Sequence, residues 1–282
     1  MTRVLRRLGF YLALLLFTLF AVFPIVWMII TTFKQDGDLY DIANNPFLYN
    51  LPPTLKHVTF LFTDTNFPKF LWNSVYIGVI VVIITLLLSV PAAYSLSRLV
   101  GSWGERSGVA LFLVYLIPPT LLFIPLYQIV TFLHTSNTVW SLVLVYPTIT
   151  VPFCTWLLLG FFKSMPRELE EAALIDGCSR WQAFVRVALP LSMPGIATCI
   201  VFAFALSLSD YIYATVFVSS AASRTLSAGV PSELIRGDIY FWQSLMAAAA
   251  IVTIPLAVAY GLLFDRLVKG FQTGSTGGGD AA

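Results

Sequence analysis

The sequence predicts an all-α membrane protein with six transmembrane helices, and three observations carry that prediction. Of the 282 residues, 58% are apolar and only 11% are charged, with a mean hydropathy of +0.85. Soluble globular domains carry about 25% charged residues, so this chain cannot cover a water-facing surface; a soluble enzyme and a disordered chain are both excluded. Six apolar stretches, 10–30, 70–94, 109–132, 139–162, 196–218 and 245–267, reach the length of about 20 residues that a helix needs to cross about 30 Å of hydrocarbon. Finally, Lys and Arg divide unevenly between the connecting segments. With the N-terminus inside, one side holds Arg3, Arg6, Arg7, Arg98, Arg106, Lys163, Arg167, Arg180, Arg186, Arg266 and Lys269, and the other holds Lys34, Lys56, Lys69, Arg224 and Arg236. That bias, 11 against 5, puts both termini in the cytoplasm.

The first stretch follows a cluster of arginines, as a secretory signal does. It is too long for a signal's apolar region and lacks a small-residue cleavage site, so it reads as a retained span. Trp27, Trp72, Trp140 and Trp242 then fall toward the outer interface, where aromatic belts form. Pro24, Pro91, Pro118, Pro119, Pro125, Pro147, Pro152 and Pro255 lie in the spans. They fit either ordinary kinked helices or a bundle lining a pathway, where freed carbonyls find other partners. The longest outer loop is 34–69, with Pro46, Pro52 and Pro53; a second, 219–242, is long enough to fold back toward the membrane. The Gly-rich tail 274–282 is expected to be disordered.

The residue inventory excludes several chemistries. A net charge of +2 offers no basic surface for nucleic acid. Cys154, Cys178 and Cys199 are odd in number and widely spaced, and they read as packing residues. His57 and His134 stand without partners at ligand spacing, so no metal site is expected. No phosphate-binding G-x-x-x-x-G-K-[ST] motif occurs.

One polar segment stands out between spans four and five, at 163–190. Pro166 suits a first helical turn, and Glu168, Glu170 and Glu171 suit the positive end of a helix dipole. Leu169, Ala172, Ala173 and Asp176 share one face, and Gly177 is placed to stop the helix in a left-handed conformation. Ser179 and Gln182 make a capping box for a second helix, on which Trp181, Phe184, Val185 and Ala188 recur as an apolar stripe. Such helices must bury the stripe against the bilayer surface, their own spans or a soluble partner.

Glu171-Ala172-Ala173, three residues, Gly177, nine residues, then Val187-Ala188-Leu189-Pro190 resembles the "EAA" loop of ABC-importer permease subunits. The pattern there is E-A-A, three residues, G, nine residues, I-x-L-P, so valine for isoleucine is the only departure. The likeness extends along the whole chain, and the Ser164-to-Ala173 lead-in is similar to the smaller permease of the maltose-type, carbohydrate-importing branch. It implies a type I ABC-importer permease fold, with 1–282 as a single transmembrane domain in a bacterial or archaeal cell membrane. The loop would be a coupling helix seated in a cytoplasmic ATPase dimer. Glu171 would make polar contacts with the ATPase, Ala172 and Ala173 would allow close packing, and Gly177 would set the turn; Asp176, Val187, Leu189 and Pro190 complete the coupling set. A second permease and an extracytoplasmic sugar-binding protein would be the other partners. ATP and magnesium would be bound by the ATPase, and no cofactor by this chain.

Span five contains Ser207, Asp210, Tyr211 and Tyr213, the proposed substrate-pathway residues. Asp210 lies about 21 Å along a helix starting at Ile196, at about 1.5 Å per residue. A carboxylate at such depth costs about 2.5–3.5 kcal/mol, so it should face a partner or a wet cavity. Ser207, Asp210 and Tyr213 would share a face at i, i+3, i+6, offering hydroxyls, a carboxylate and a ring to a polyhydroxy solute. Pairing with a cation of the second permease, or interfacial exposure, would also satisfy Asp210. Related permeases have a W-N-E-F-like stretch here, from which Leu208-Ser209-Asp210-Tyr211 departs. An ion-coupled secondary transporter is the alternative reading; it predicts several intramembrane acids or histidines and visible repeats, whereas Asp210 is the only acid placed deep inside a span, Asp265 lying two residues from the end of the sixth. A membrane-embedded hydrolase would need a nucleophile–base or metal constellation within the spans, and none is present.

Overall fold

The computed structural model describes residues 2–275. Its helices run, in order, α1 Thr2–Thr32, α2 Asp36–Tyr40, α3 Lys56–Thr63, α4 Phe67–Arg98, α5 Ser102–Tyr115, α6 Pro119–Phe132, α7 Val139–Val145, α8 Pro147–Ser164, α9 Glu168–Ile175 and α10 Arg180–Ala183. A π-helical turn, Phe184–Ala188, leads to α11 Leu189–Leu191, α12 Met193–Ser209, α13 Ile212–Phe217 and α14 Leu226–Leu234. Two short strands, β1 Ile235–Arg236 and β2 Ile239–Tyr240, precede the last helix, α15 Trp242–Ser275. Of the tail expected to be disordered, 274–282, the first two residues finish α15 and the rest lie outside the described residues.

Among the described residues, four segments are long and apolar enough to cross a membrane: Leu5–Thr32, Phe67–Arg98, Val139–Ser164 and Trp242–Leu262. Two bent helix pairs raise the number to as many as six. The expected third span, 109–132, is not one rod, because α5 and α6 meet at 90°. Pro118 and Pro119 explain the break: neither has an N–H to donate, and each drives the residue before it out of the α region. The expected fifth span, 196–218, also breaks. Helix α12 stops at Ser209, and Asp210 is extended (φ −67°, ψ 122°) before α13 starts. The expectation of an all-α chain is corrected in one place. β1 and β2 pair antiparallel, Ile235 with Tyr240 and Arg236 with Ile239, around Gly237 at φ +61°.

The chain divides into two compact units. One draws on the chain up to Pro68 and on Gly229–Leu256. Its outer loop is ordered around a buried ion pair: Lys34 Nζ lies 3.6 Å from Asp38 Oδ2 and donates to the carbonyls of Asn45 and Leu48 at 3.2 and 2.7 Å. The Asn50 side chain donates to Asp38 Oδ1 at 2.7 Å. Burial alone would raise the Asp38 pKa, but the Asn50 hydrogen bonds and the Lys34 charge outweigh it and hold the carboxyl below its ordinary value. Asp36 ties the start of α3 to α15, accepting from Lys56 Nζ at 3.1 Å and from Gln243 Nε2 at 3.2 Å.

The other unit comprises Lys69–Ala228 and the chain from Ala257 onward. It has two buried clusters. One gathers Ile77, Val81, Val130, Leu142, Tyr146, Tyr213 and Phe217, and the other Val90, Cys154, Leu158, Phe162, Phe184, Ile196 and Cys199. Between apolar helices in lipid, close packing and interhelical hydrogen bonds replace the hydrophobic drive. Both are present here. The Thr85 and Thr150 hydroxyls, buried on α4 and α8, are 2.6 Å apart. At Gly78 a Cβ would sit 2.8 Å from the Phe204 ring, so only glycine admits that approach.

Candidate functional site

The polar segment folds as its local chemistry dictates. Helix α9 starts two residues after Pro166 with Glu168, Glu170 and Glu171 in its first turn. It ends in a Schellman turn: Gly177 N–H donates to Leu174 O at 3.1 Å, Cys178 N–H donates to Ala173 O at 3.0 Å, and Gly177 has φ +87°. The capping box is formed reciprocally, Gln182 N–H donating to Ser179 Oγ at 3.2 Å and Ser179 N–H to Gln182 Oε1 at 2.8 Å. The expected apolar stripe is split. Phe184 and Ala188 are buried, whereas Trp181 and Val185 are exposed, and a π-helical turn runs from Phe184 to Ala188.

The motif residues form an open surface. Helix α9 has no buried residue; Glu171, Ala172, Asp176 and Gly177 are exposed and Ala173 half-buried. Ile175 is 86% exposed and Trp181 68%, leaving apolar area for another molecule to cover. Val187 and Leu189 are half-buried, and Pro190 is exposed before the chain bends by 70° between Arg180–Leu191 and α12.

The residue that anchors this surface is one that motif reading missed. Glu170 Oε1 is 2.7 Å from Arg98 Nε, and Tyr94 Oη donates to Glu170 Oε2 at 2.8 Å. Arg98 also donates to Met165 O at 3.0 Å. Tyr94 packs on Phe184, with centroids 4.5 Å apart. The available signal was weak: Tyr94 and Arg98 are four residues apart at the end of an apolar helix, where two polar side chains of one face need a partner. Together with Arg167, Glu171 and Arg180 they line a cleft of about 160 Å³.

The second candidate region lies where helices break. Tyr146, between α7 and α8, donates its hydroxyl to Asp210 Oδ2 at 3.2 Å. The same oxygen accepts from Ala214 N–H at 3.1 Å and so caps α13. Ser227 Oγ donates to Asp210 O at 2.5 Å, and Tyr213 Oη to Pro119 O at 2.7 Å. Side chains thereby tie the break after α12 to α8's start at Tyr146, and α13 to the bend between α5 and α6. The expected single face of Ser207, Asp210 and Tyr213 is corrected, since it assumed one continuous helix. Ser207 is buried and donates to Ala203 O at 2.8 Å, Tyr213 is buried, Asp210 is half-buried and Tyr211 is 55% exposed. Discontinuous helices of this kind surround solute sites in transporters, because their ends present backbone groups to a cavity.

Comparison with known proteins bears on the family and the fold. Residues 79–273 match the family described as "Binding-protein-dependent transport system inner membrane component". The inner membrane ABC transporter permease protein YcjP of Escherichia coli (strain K12) is 33% identical over 279 residues, covering 98% of this chain and 97% of that protein. The sulfoquinovosyl glycerol transport system permease protein SmoH of Agrobacterium fabrum is 33% identical over 258 residues, covering 91% and 89%. Among solved structures, a chain of a bacterial ABC transporter that imports the acidic polysaccharide alginate superposes with a TM-score of 0.75. It shares 20% identity, with 92% of this chain and 96% of that chain covered, and it shows the fold.

Proposed function

This chain belongs to the family of binding-protein-dependent transport system inner membrane components, and we propose that it is the smaller permease subunit of an ATP-driven sugar importer. Its six apolar stretches act as six spans, α5 with α6 counting as one crossing and α12 with α13 as another, and both termini face the cytoplasm. The 163–190 loop is then the coupling element. The observation that carries this reading is the exposed α9 surface, with Glu171 and Ala172 open to solvent and Ala173 half-buried on a helix in which no residue is fully buried. A partner ATPase dimer covers that surface and holds ATP and magnesium; this chain supplies no catalytic group.

The substrate class follows from the relatives' solutes and from the broken-helix region. Half-buried Asp210 and exposed Tyr211 stand beside a pathway completed by a second permease, and buried Ser207, Tyr213 and Tyr146 hold the helix ends there. ATP binding draws the two coupling loops together, the helices follow, and a sugar released by a docked extracytoplasmic binding protein enters the opened cavity. The family match favours this over an ion-coupled secondary transporter. The test is co-purification with an ATPase, a second permease and a binding protein, followed by ATPase measurement over a panel of sugars. Stimulation by one loaded binding protein and uptake of its sugar are expected; an isolated chain that carries a solute on an ion gradient refutes the proposal.

A further inference from the structure

We propose that Glu170, gripped by Arg98 and Tyr94, is the positioning residue through which the coupling loop moves α4. The inference deepens the permease reading and rests on it. No apolar residue of helix α9 is buried, so apolar packing does not fasten it to the spans. What fastens it is polar. The Glu170 carboxylate takes Arg98 Nε at 2.7 Å on one oxygen and Tyr94 Oη at 2.8 Å on the other. The two side chains are 8% and 13% exposed, so water screens this ion pair little. Arg98 simultaneously holds Met165 O at 3.0 Å, and the guanidinium therefore grips the chain on both sides of Pro166.

The other end of the loop is built differently. It leaves through a five-residue π-helical turn, a three-residue helix and a 70° bend before α12. Such elements absorb displacement, whereas a buried, multiply bonded ion pair transmits it. On α4 the grip falls one turn (Tyr94) and two turns (Arg98) after Pro91, which cannot donate a hydrogen bond to the preceding turn. The last turns of α4 are thus free to swing about Pro91 when α9 pulls on Tyr94 and Arg98. This divides labour within three consecutive residues: Glu171 and Ala172 face outward for the partner, and Glu170 faces inward for the span.

The test uses the full importer reconstituted in proteoliposomes, with sugar uptake and ATP hydrolysis measured together. Glu170→Gln keeps the shape but loses the charge, and uptake per ATP hydrolysed should fall by about 5-fold or more, the lower end of ordinary coupling strengths. Tyr94→Phe should give a smaller loss of the same ratio. The double variant Arg98→Gln with Glu170→Gln leaves no orphan buried charge, so it keeps the test open should Glu170→Gln alone fail to assemble; its ratio should equal that of Glu170→Gln. If these variants transport with the wild-type ratio per assembled complex, even with lowered thermal stability, the clamp is structural only and the inference is wrong. A wild-type complex that shows no binding-protein-stimulated hydrolysis would instead overturn the permease reading.

Discussion

Replacing Gly177 isolates one backbone angle. Its φ of +87° lies where L side chains are strained, and no heavy atom lies within 4 Å of the position a Cβ would take. Space is therefore not the issue, and the penalty for Gly177→Ala is conformational, about 1–2 kcal/mol. Because no apolar residue of α9 is buried, little packing energy opposes loss of the turn. The two hydrogen bonds that depend on it, Gly177 N–H to Leu174 O and Cys178 N–H to Ala173 O, should open more often by a factor of about 5–30. Amide hydrogen exchange of the purified permease reads this directly, with protection lost at 177 and 178 and retained in the middle of α8. Gly177→Asn should lose less, since asparagine tolerates the left-handed region. In the reconstituted importer, Gly177→Ala should depress both sugar uptake and ATPase stimulation. Exchange equal to wild type in the Ala variant, or normal uptake by it, would falsify the argument that this turn positions the loop surface.

Four further outcomes follow from the geometry. Asp210→Ala removes the cap of α13 and strands the Tyr146 hydroxyl, which should cost about 1–3 kcal/mol in detergent unfolding; Asp210→Asn keeps an acceptor and should cost less. The same Asn variant tests the pathway role: unchanged uptake and sugar preference would remove Asp210 from it. Thr85→Val and Thr150→Val should each destabilise by about 0.6–1.7 kcal/mol, and the double variant by less than their sum, because the two share one hydrogen bond. Asp38 has a depressed pKa, so its stabilisation is complete above the unfolded value of about 4 and is lost as pH falls through the lower folded value. Limited proteolysis of the 34–57 loop should therefore accelerate in that acid range, and Asp38→Asn should flatten the profile.

Local features of the functional loop were legible in the sequence because their partners lie within five residues. The Gly177 turn and the Ser179 box form through contacts of that range and need no other element. The clamp was not legible, since Glu170 meets Arg98 across 72 residues and nothing local distinguishes it from Glu168 or Glu171. The split of the apolar stripe escaped for a related reason. A helical period was assumed through Phe184–Ala188, and packing of Phe184 on Tyr94 accompanies a π-helical turn instead.

By itself the sequence determined residence in the membrane, the predominance of helix and the segments able to span, because hydrocarbon admits only apolar, internally hydrogen-bonded chain. It also determined where the exposed loop helix starts and stops. Tertiary structure decided how the spans break and what meets at the breaks. Apolar periodicity is the same in a straight helix and in two short ones, so only the proline positions hinted at the 90° bend between α5 and α6, and nothing marked the end of α12 at Ser209. The partner of Asp210 was likewise decided in three dimensions. A carboxylate in an apolar span must be satisfied, but the sequence states only the need, and the fold supplied Tyr146 from 64 residues away.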